Sequence, residues 1–489
     1  MNSSIKKNLF FQTLYQVLTI ILPLITAPYV ARVVGAAGVG TYSYTYSIAS
    51  YFALVAKLGI NVYGNRTIAM VRDDPEKLNK TFSDLLAVHM GVGFLALAAY
   101  GGYIGFFAKE YHVIFIIQGL HILAELLEVN WLYFGLENFQ LTTTRNIVIR
   151  LLALVATFVF VKSPDDVVIY CAILAGSVIA NEVVMWFFVH RYVRIVKPVW
   201  KDARKHIKPL LMFFVPSVAI SLYRVMDKIM LGSMADVTQV GFYENSEKII
   251  NLTVGLVTAL GTVMMPRMSN LAAKGATEES RRYIHVSMRF IMIATLAMAF
   301  GISAVSTVFA PVFFGDEFAG CNVLIAGLSV SMPFVAFANV LRTQYLIPNK
   351  RDRVFQGSVI SGAVVNLCAN YLLIPSLQAM GAVIGTILAE ATVCIIQAVA
   401  CRKVLPIRRY LFEAIPAFVA GAIMLVAVHL IGNAMGTSIP TLIVQVGAGV
   451  VLFVGLLGVY MLLTRDEMLG MLTSRLHRRP AADTRDVQP

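Results

Sequence analysis

The sequence predicts an all-α polytopic membrane protein of about fourteen transmembrane helices, arranged as two pseudo-symmetric six-helix lobes plus two extra C-terminal helices. Three observations predict it. The 489-residue chain is 58% apolar and 14% charged, with a mean hydropathy of +0.75, far from the soluble average. Its apolar residues form fourteen stretches of about twenty residues, the length that crosses roughly 30 Å of hydrocarbon at 1.5 Å per residue. Its cations are one-sided. Threaded alternately from a cytoplasmic amino terminus, thirty of the forty Lys and Arg fall in inner loops and tails, counting Arg145 at the inner edge of its span, and three (Arg32, Lys109 and Lys162) in outer loops. Positive side chains translocate poorly, so the bias predicts the inner (cytoplasmic) membrane with both termini cytoplasmic.

The stretches lie near 9–31, 42–60, 82–107, 111–134, 142–161, 167–189, 209–234, 241–264, 284–306, 321–346, 355–375, 380–401, 411–432 and 441–463. Lys6-Lys7 before the first could imitate a signal peptide. The run continues past Ala31 and carries Gln12 and Gln16, so a retained helix is expected. Asp74-Pro75 predicts a helix start ahead of the third span, because aspartate accepts orphan amide bonds and proline suits the first helical position. Pro23, Pro28, Pro216, Pro333 and Pro416 sit in or at the ends of spans, as hinges or as static kinks. The five cysteines show no metal-ligand spacing and are expected as small apolar fillers.

A repeat underlies this order. Val39-Gly40-Thr41-Tyr42 recurs 201 residues later as Val240-Gly241-Phe242-Tyr243, each after an apolar-Gly pair, Val34-Gly35 and Leu231-Gly232. An even number of spans per half makes this a parallel repeat about the membrane normal. The expected division is residues 1–190 (spans 1–6), a basic cytoplasmic linker 191–208, residues 209–401 (spans 7–12), 402–463 (spans 13 and 14) and a cytoplasmic tail 464–489. The linker, with Lys197, Lys201, Arg204, Lys205 and Lys208, is either a charged connector or an amphipathic helix on the inner leaflet.

An ionisable side chain inside a span costs at least about 2.5 kcal/mol unless it meets water or a partner. In span 7, Ser217, Ser221, Arg224 and Lys228 share one face at 4, 3, 4 spacing. Two cations four residues apart repel, so Arg224 and Lys228 are candidates to face an anion, with an internal pair between Arg224 and Asp227 as the alternative. Lys57 and Arg150 are the weaker cationic candidates of the first lobe; Arg150, like Arg289 and Arg342, could simply snorkel to the inner surface. Span 4 carries Gln118, His121, Glu125 and Glu128 at 3, 4, 3 spacing, and span 12 carries Thr386 and Glu390. Glu125, Glu128 and Glu390 are candidate ion-coupling groups, or members of structural ion pairs.

No phosphate-cradling glycine loop, nucleophile elbow or metal spacing is present. An enzyme is not expected, nor a cofactor or metal. The net charge of +13 would suggest nucleic acid in a soluble protein. Here it reads as a topology signal with some attraction to anionic membrane lipids, and no nucleic-acid partner is expected.

Four motifs in order carry a family resemblance. Thr26-Ala-Pro-Tyr-Val-Ala-Arg32-Val-Val-Gly35 with Gly38-Val-Gly40-Thr-Tyr42 is the first, and Tyr223-Arg-Val-Met-Asp227-Lys-Ile-Met-Leu-Gly232 with Val240-Gly241-Phe-Tyr243 the second. Phe314-Gly315-Asp316-Glu317-Phe318 is the third. The fourth joins Asn366-Leu-Cys-Ala-Asn370, Ile374-Pro375, Gly381-Ala382, Thr386 and Glu390. Over roughly residues 8–400 the chain resembles Wzx-type polysaccharide repeat-unit flippases of the multidrug/oligosaccharidyl-lipid/polysaccharide exporter superfamily. The resemblance implies two six-helix lobes around a central cavity. It also implies outward flipping of undecaprenyl-diphosphate-linked oligosaccharide by alternating access, with a polysaccharide polymerase and chain-length regulators as possible partners. A lipid II-type flippase or a multidrug/cation antiporter of the same superfamily is the alternative. Lipid II flippases typically place several arginines in the first lobe's cavity, where this chain offers mainly Lys57 and Arg150.

Overall fold

The computed structural model describes the backbone of residues 3–465 and the side chains of 21–465, apart from those of 139, 215–217, 219–220, 222–224 and 256. The described chain is helical, with no strand. In chain order the helices are α1 (Ser3–Lys57), α2 (Ile60–Val71), α3 (Pro75–Phe107), α4 (His112–Leu126), α5 (Asn130–Gly135), α6 (Phe139–Phe160) and α7 (Val167–Val189). They continue as α8 (Trp200–Ala203), α9 (Ile207–Met234), α10 (Val237–Ala273), α11 (Thr277–Phe314), α12 (Cys321–Ser329) and α13 (Met332–Leu341). The last four are α14 (Asp352–Leu377), α15 (Ala379–Cys401), α16 (Ile407–Met435) and α17 (Ile439–Leu463).

Among the described residues, 12 helical stretches are long and apolar enough to cross a membrane. The first, Ile21–Val71, holds two expected spans, and α9 occupies the place of span 7. The count of about fourteen therefore stands, in a multi-pass membrane protein. Large side chains such as Phe412, Leu430 and Val451 are more than half exposed, as a lipid-facing surface requires.

Spans 1 and 2 are not joined by the expected loop. The helix runs through and breaks at one residue, Gly35, whose φ of 72° lies in the left-handed region that glycine tolerates without a Cβ penalty. The break orphans amides at the start of the second segment, and Glu317 caps one by accepting from Ala36 N at 2.9 Å. Arg32, expected in an outer loop, is helical, and its guanidinium donates to the Val312 carbonyl. The first contact reaches the third sequence motif and the second the turn of helix just ahead of it, so Glu317 serves as a cap placed some 280 residues away.

Immediately after the break, α1 and α10 cross at the repeated glycines. A Cβ on Gly40 would lie 1.7 Å from the Val237 carbonyl oxygen, and one on Gly241 2.0 Å from that of Ala36. Residue 36 thus meets 241, the repeat's equivalent of 40, and residue 40 meets 237, the equivalent of 36, reciprocally as across any two-fold interface. One turn on, Ser43 donates to Glu244 at 2.8 Å, a pair 201 residues apart.

Two expected helices are interrupted. Span 4 ends as a helix at Leu126 and restarts at Asn130, so Glu128 lies in the break and not on the stripe of Gln118, His121 and Glu125. Span 10 is divided into α12 and α13 just ahead of Pro333, which sits in the first turn of α13, where its missing amide costs nothing. The Asp74 start is as expected, with its side chain accepting from Lys77 N at 3.1 Å.

The basic linker is not an amphipathic helix. It runs extended before the four-residue α8, and its backbone amides are strapped to α3. Arg194 N donates to Asn79 (2.7 Å), Val196 N to Ser83 (2.9 Å) and Val199 N to Asp84 (3.2 Å). Asp202 bridges Lys205 and Lys80, both at 2.6 Å, and those ammonium groups hold its carboxyl down at about 2.

Candidate functional site

Two polar cavities lie within the apolar shell. The first, of about 510 Å³, is enclosed by α1, α4, α6, α7 and α9, and Lys57, Glu125, Arg150 and Ser221 line it. The sequence-derived candidates Lys57 and Arg150 therefore come together, on helices α1 and α6. The Lys57 ammonium is 3.1 Å from Glu125 and 4.0 Å from Glu128. With side-chain exposures of 33% and 26%, Lys57 and Glu125 are only partly withdrawn from the cavity, so both charges remain accessible from it.

Behind that pair runs a network that the sequence did not reveal. Asn130 donates to Glu128 at 3.3 Å and to Glu182 at 3.1 Å, while Arg145 donates to the Asn130 side-chain oxygen and the Asn181 carbonyl. Asn130 lies beyond the break after α4, which is what turns its amide towards both carboxylates. Tyrosines make up another wall. Tyr42 stacks on Tyr46 with ring centroids 5.6 Å apart and meets Tyr170 edge-on at 5.3 Å, and all three line the cavity. Rings with hydroxyls beside cations suit a ligand with both sugar faces and anionic oxygens.

The second cavity, of about 390 Å³, lies among α9, α10, α13, α14 and α15, lined by Asp227, Tyr243, Asn366, Thr386, Glu390 and Arg342 among others. Asp227 accepts from Tyr243 (2.7 Å), Thr386 (3.0 Å) and Asn370 (2.5 Å). Its carboxylate is thus held by three neutral donors.

Between the cavities, Lys228 contacts Glu244 at 2.6 Å and Glu247 at 2.8 Å, and Lys248 reaches Glu244 at 3.3 Å. The cation repulsion that predicts an external anion at Lys228 is balanced by two protein carboxylates. Glu244 and Glu247 are absent from the sequence-derived candidates, although three ionisable residues within one turn and a half of span 8 are a signal available in the sequence. Arg224 belongs to α9, three residues after Ser221; its side chain lies outside the described residues. Among the described residues no cluster of three or more His, Cys, Asp or Glu is arranged for a metal ion.

Residues 5–272 match the family described as "Polysaccharide biosynthesis protein", more than half of the chain. The chain belongs to this polysaccharide biosynthesis protein family. It is 23% identical over 392 residues to a "Putative O-antigen transporter" of Shigella dysenteriae, covering 79% of this chain and 98% of that protein. A protein of the same description from Escherichia coli K12 is 22% identical over 403 residues, 80% of this chain and 95% of the relative. Among solved structures, a lipid II flippase MurJ in an inward closed conformation superposes with a TM-score of 0.77 at 12% identity, covering 94% of this chain and all of that one. That last likeness is one of fold. In this member of the polysaccharide biosynthesis family, the motifs of the resemblance converge in space. The second and fourth meet at Asp227, and the first and third meet at the Gly35 break.

Proposed function

We propose that the chain flips undecaprenyl-diphosphate-linked oligosaccharide repeat units from the inner to the outer leaflet of the bacterial cytoplasmic membrane by alternating access. The observation that carries the reading is the first cavity, where Arg150 and Lys57 share one space, set within the apolar shell, with Tyr42, Tyr46 and Tyr170. A diphosphate needs cations in a low-dielectric setting and a glycan needs rings and hydroxyls, while the lipid stays in the bilayer. Arg224 is assigned to the same task by its spacing from Ser221, which lines that cavity. Lys228 takes part through the carboxylates that hold it. The names of the relatives support a lipid-linked glycan as cargo, and family membership supports a place in polysaccharide assembly.

Liposome flipping of defined lipid-linked sugars tests this reading, with lipid II and a cationic dye as competing cargoes. Arg150→Ala is expected to weaken head-group binding by about ten-fold or more, since hydrogen bonds to charged groups are worth roughly 1.5–3 kcal/mol. Arg150→Lys keeps the charge, loses the planar fork and falls between. Preference for lipid II or the dye would assign the chain to the alternative cargo. Glu125, Glu128 and Glu390 are proposed as coupling groups; Gln at one of them should flatten the dependence of flipping on an imposed proton gradient. Unchanged dependence in all three leaves them as structural partners only.

The orientation is proposed from the cation bias. Reporter fusions after Lys162, Gly320 and Gly436 should report outside, and those after Asp202 and Lys274 inside. An outside signal from a fusion after Thr464 would remove it.

A further inference from the structure

A third cavity, of about 560 Å³, opens at the ends of α11, α15 and α16, away from both cavities described above. Glu278, Arg281, Arg282 and His285 of α11 follow 3, 1, 3 spacing and share one face. The turn 402–406 adds Arg402 and Lys403, and the first turn of α16 adds Arg409 and Tyr410. Carboxylates are in place for some of these. Arg281 pairs with Glu278 at 2.9 Å, and Glu413 takes Arg409 at 2.7 Å and His285 at 3.6 Å. Among the described residues no carboxylate pairs with Arg282, Arg402 or Lys403.

Cation excess alone would be explained by membrane orientation, which needs no concavity. A second observation does not fit that explanation. Tyr410 is only 3% exposed and lines the cavity, yet its hydroxyl has no hydrogen-bond partner, and the Arg281 Nε is buried without one as well. A buried hydroxyl left unpaired is costly, and the cavity that Tyr410 lines also carries the three exposed cations that no described carboxylate pairs. Guanidinium groups match phosphate oxygens in a bidentate fork. The residues that line it flank the apolar stretches 284–306, 380–401 and 411–432, which puts the cavity at head-group depth. From its rim Leu411, Phe412 and Ile415 continue along α16, 54%, 68% and 48% exposed, as a track for a hydrocarbon chain.

We propose that this cavity is a binding site for the phosphate of a lipid headgroup, with Arg282, Arg402 and Lys403 supplying charge and Tyr410 donating one hydrogen bond. Basic pockets between spans take anionic lipid heads in this way. The site shares no residue with the proposed transport cavity and stands or falls independently of it.

The test uses the purified full chain in neutral detergent, with lipid retention read by native mass spectrometry. Wild type should retain phosphatidylglycerol or undecaprenyl diphosphate over phosphatidylcholine, and inorganic diphosphate should displace the retained lipid. Arg282→Gln/Arg402→Gln/Lys403→Gln should lower retention at least ten-fold, and Tyr410→Phe, which removes one oxygen, several-fold. A control with equal charge loss at Lys197, Lys201 and Arg204, exposed residues of the strap, should change nothing. Ten-fold preference for the diphosphate carrier over phosphatidylglycerol assigns the site to that lipid, and the reverse order to bilayer phospholipid. Equal loss in the control, undiminished retention in both cavity variants, or no preference over phosphatidylcholine overturns the proposal. Thermal unfolding of each variant separates a lost site from a lost fold.

Discussion

Gly40→Val and Gly241→Val are each expected to abolish flipping while leaving the protein in the membrane. At both positions the nearest atom is a backbone carbonyl oxygen, at 1.7 and 2.0 Å from an added Cβ, and a carbonyl inside a helix cannot swing away as a side-chain end can. The helices must separate. Inserting even one methyl group into a packed core costs about 1–3 kcal/mol, and a branched side chain at a helix crossing exceeds that. Because the crossing joins the two halves on their two-fold axis, the cost falls on the state in which the halves touch there. Gly40→Ala should therefore be intermediate. Flipping rates at matched membrane abundance, with spin-label distances across the crossing, check the expectation. Wild-type flipping and unchanged distances in Gly40→Val would remove the crossing from the mechanism.

Lys228→Met is expected to be nearly as severe, for an electrostatic reason. Lys228, Glu244 and Glu247 have side-chain exposures of 17%, 13% and 22%, so removing the cation leaves two neighbouring carboxylates in a poorly hydrated site, their repulsion offset only by Lys248, 3.3 Å from Glu244. Breaking a buried pair costs about 3–5 kcal/mol, and the residual exposure brings the figure here nearer 2–4 kcal/mol. The triple variant Lys228→Met/Glu244→Gln/Glu247→Gln removes the repulsion and should recover thermal stability. Its flipping rate then separates two roles. Recovery means that Lys228 acts only as the carboxylates' partner, whereas a stable protein that still fails to flip means that the ammonium serves the cargo. If the triple variant does not regain stability, repulsion between Glu244 and Glu247 is not what destabilises Lys228→Met.

The fold was legible because it is written in long-range averages. A bilayer imposes some twenty apolar residues per crossing and excludes cations from one side, so span number can be read without knowing any contact. The glycine repeat was legible for a related reason: Gly40 and Gly241 stand where two backbones come so close that an added Cβ would meet a carbonyl oxygen. The first cavity was partly legible. Lys57, Glu125 and Arg150 stood out as ionisable residues inside spans, and they do line one space.

Other features depended on partners far away in sequence. Glu317 caps the helix after Gly35, Asn130 bridges Glu128 and Glu182, and Glu244 with Glu247 holds Lys228. Helical periodicity places a residue on a face but cannot show that a helix stops, as α4 does before Glu128. The sequence by itself determined the all-helical membrane architecture, the count of about fourteen spans and the repeat, since each follows from the solvent that the chain must satisfy. The tertiary structure decided which charge meets which, because an ion pair in a low-dielectric interior is set by ångström distances between helices that the order of residues does not contain.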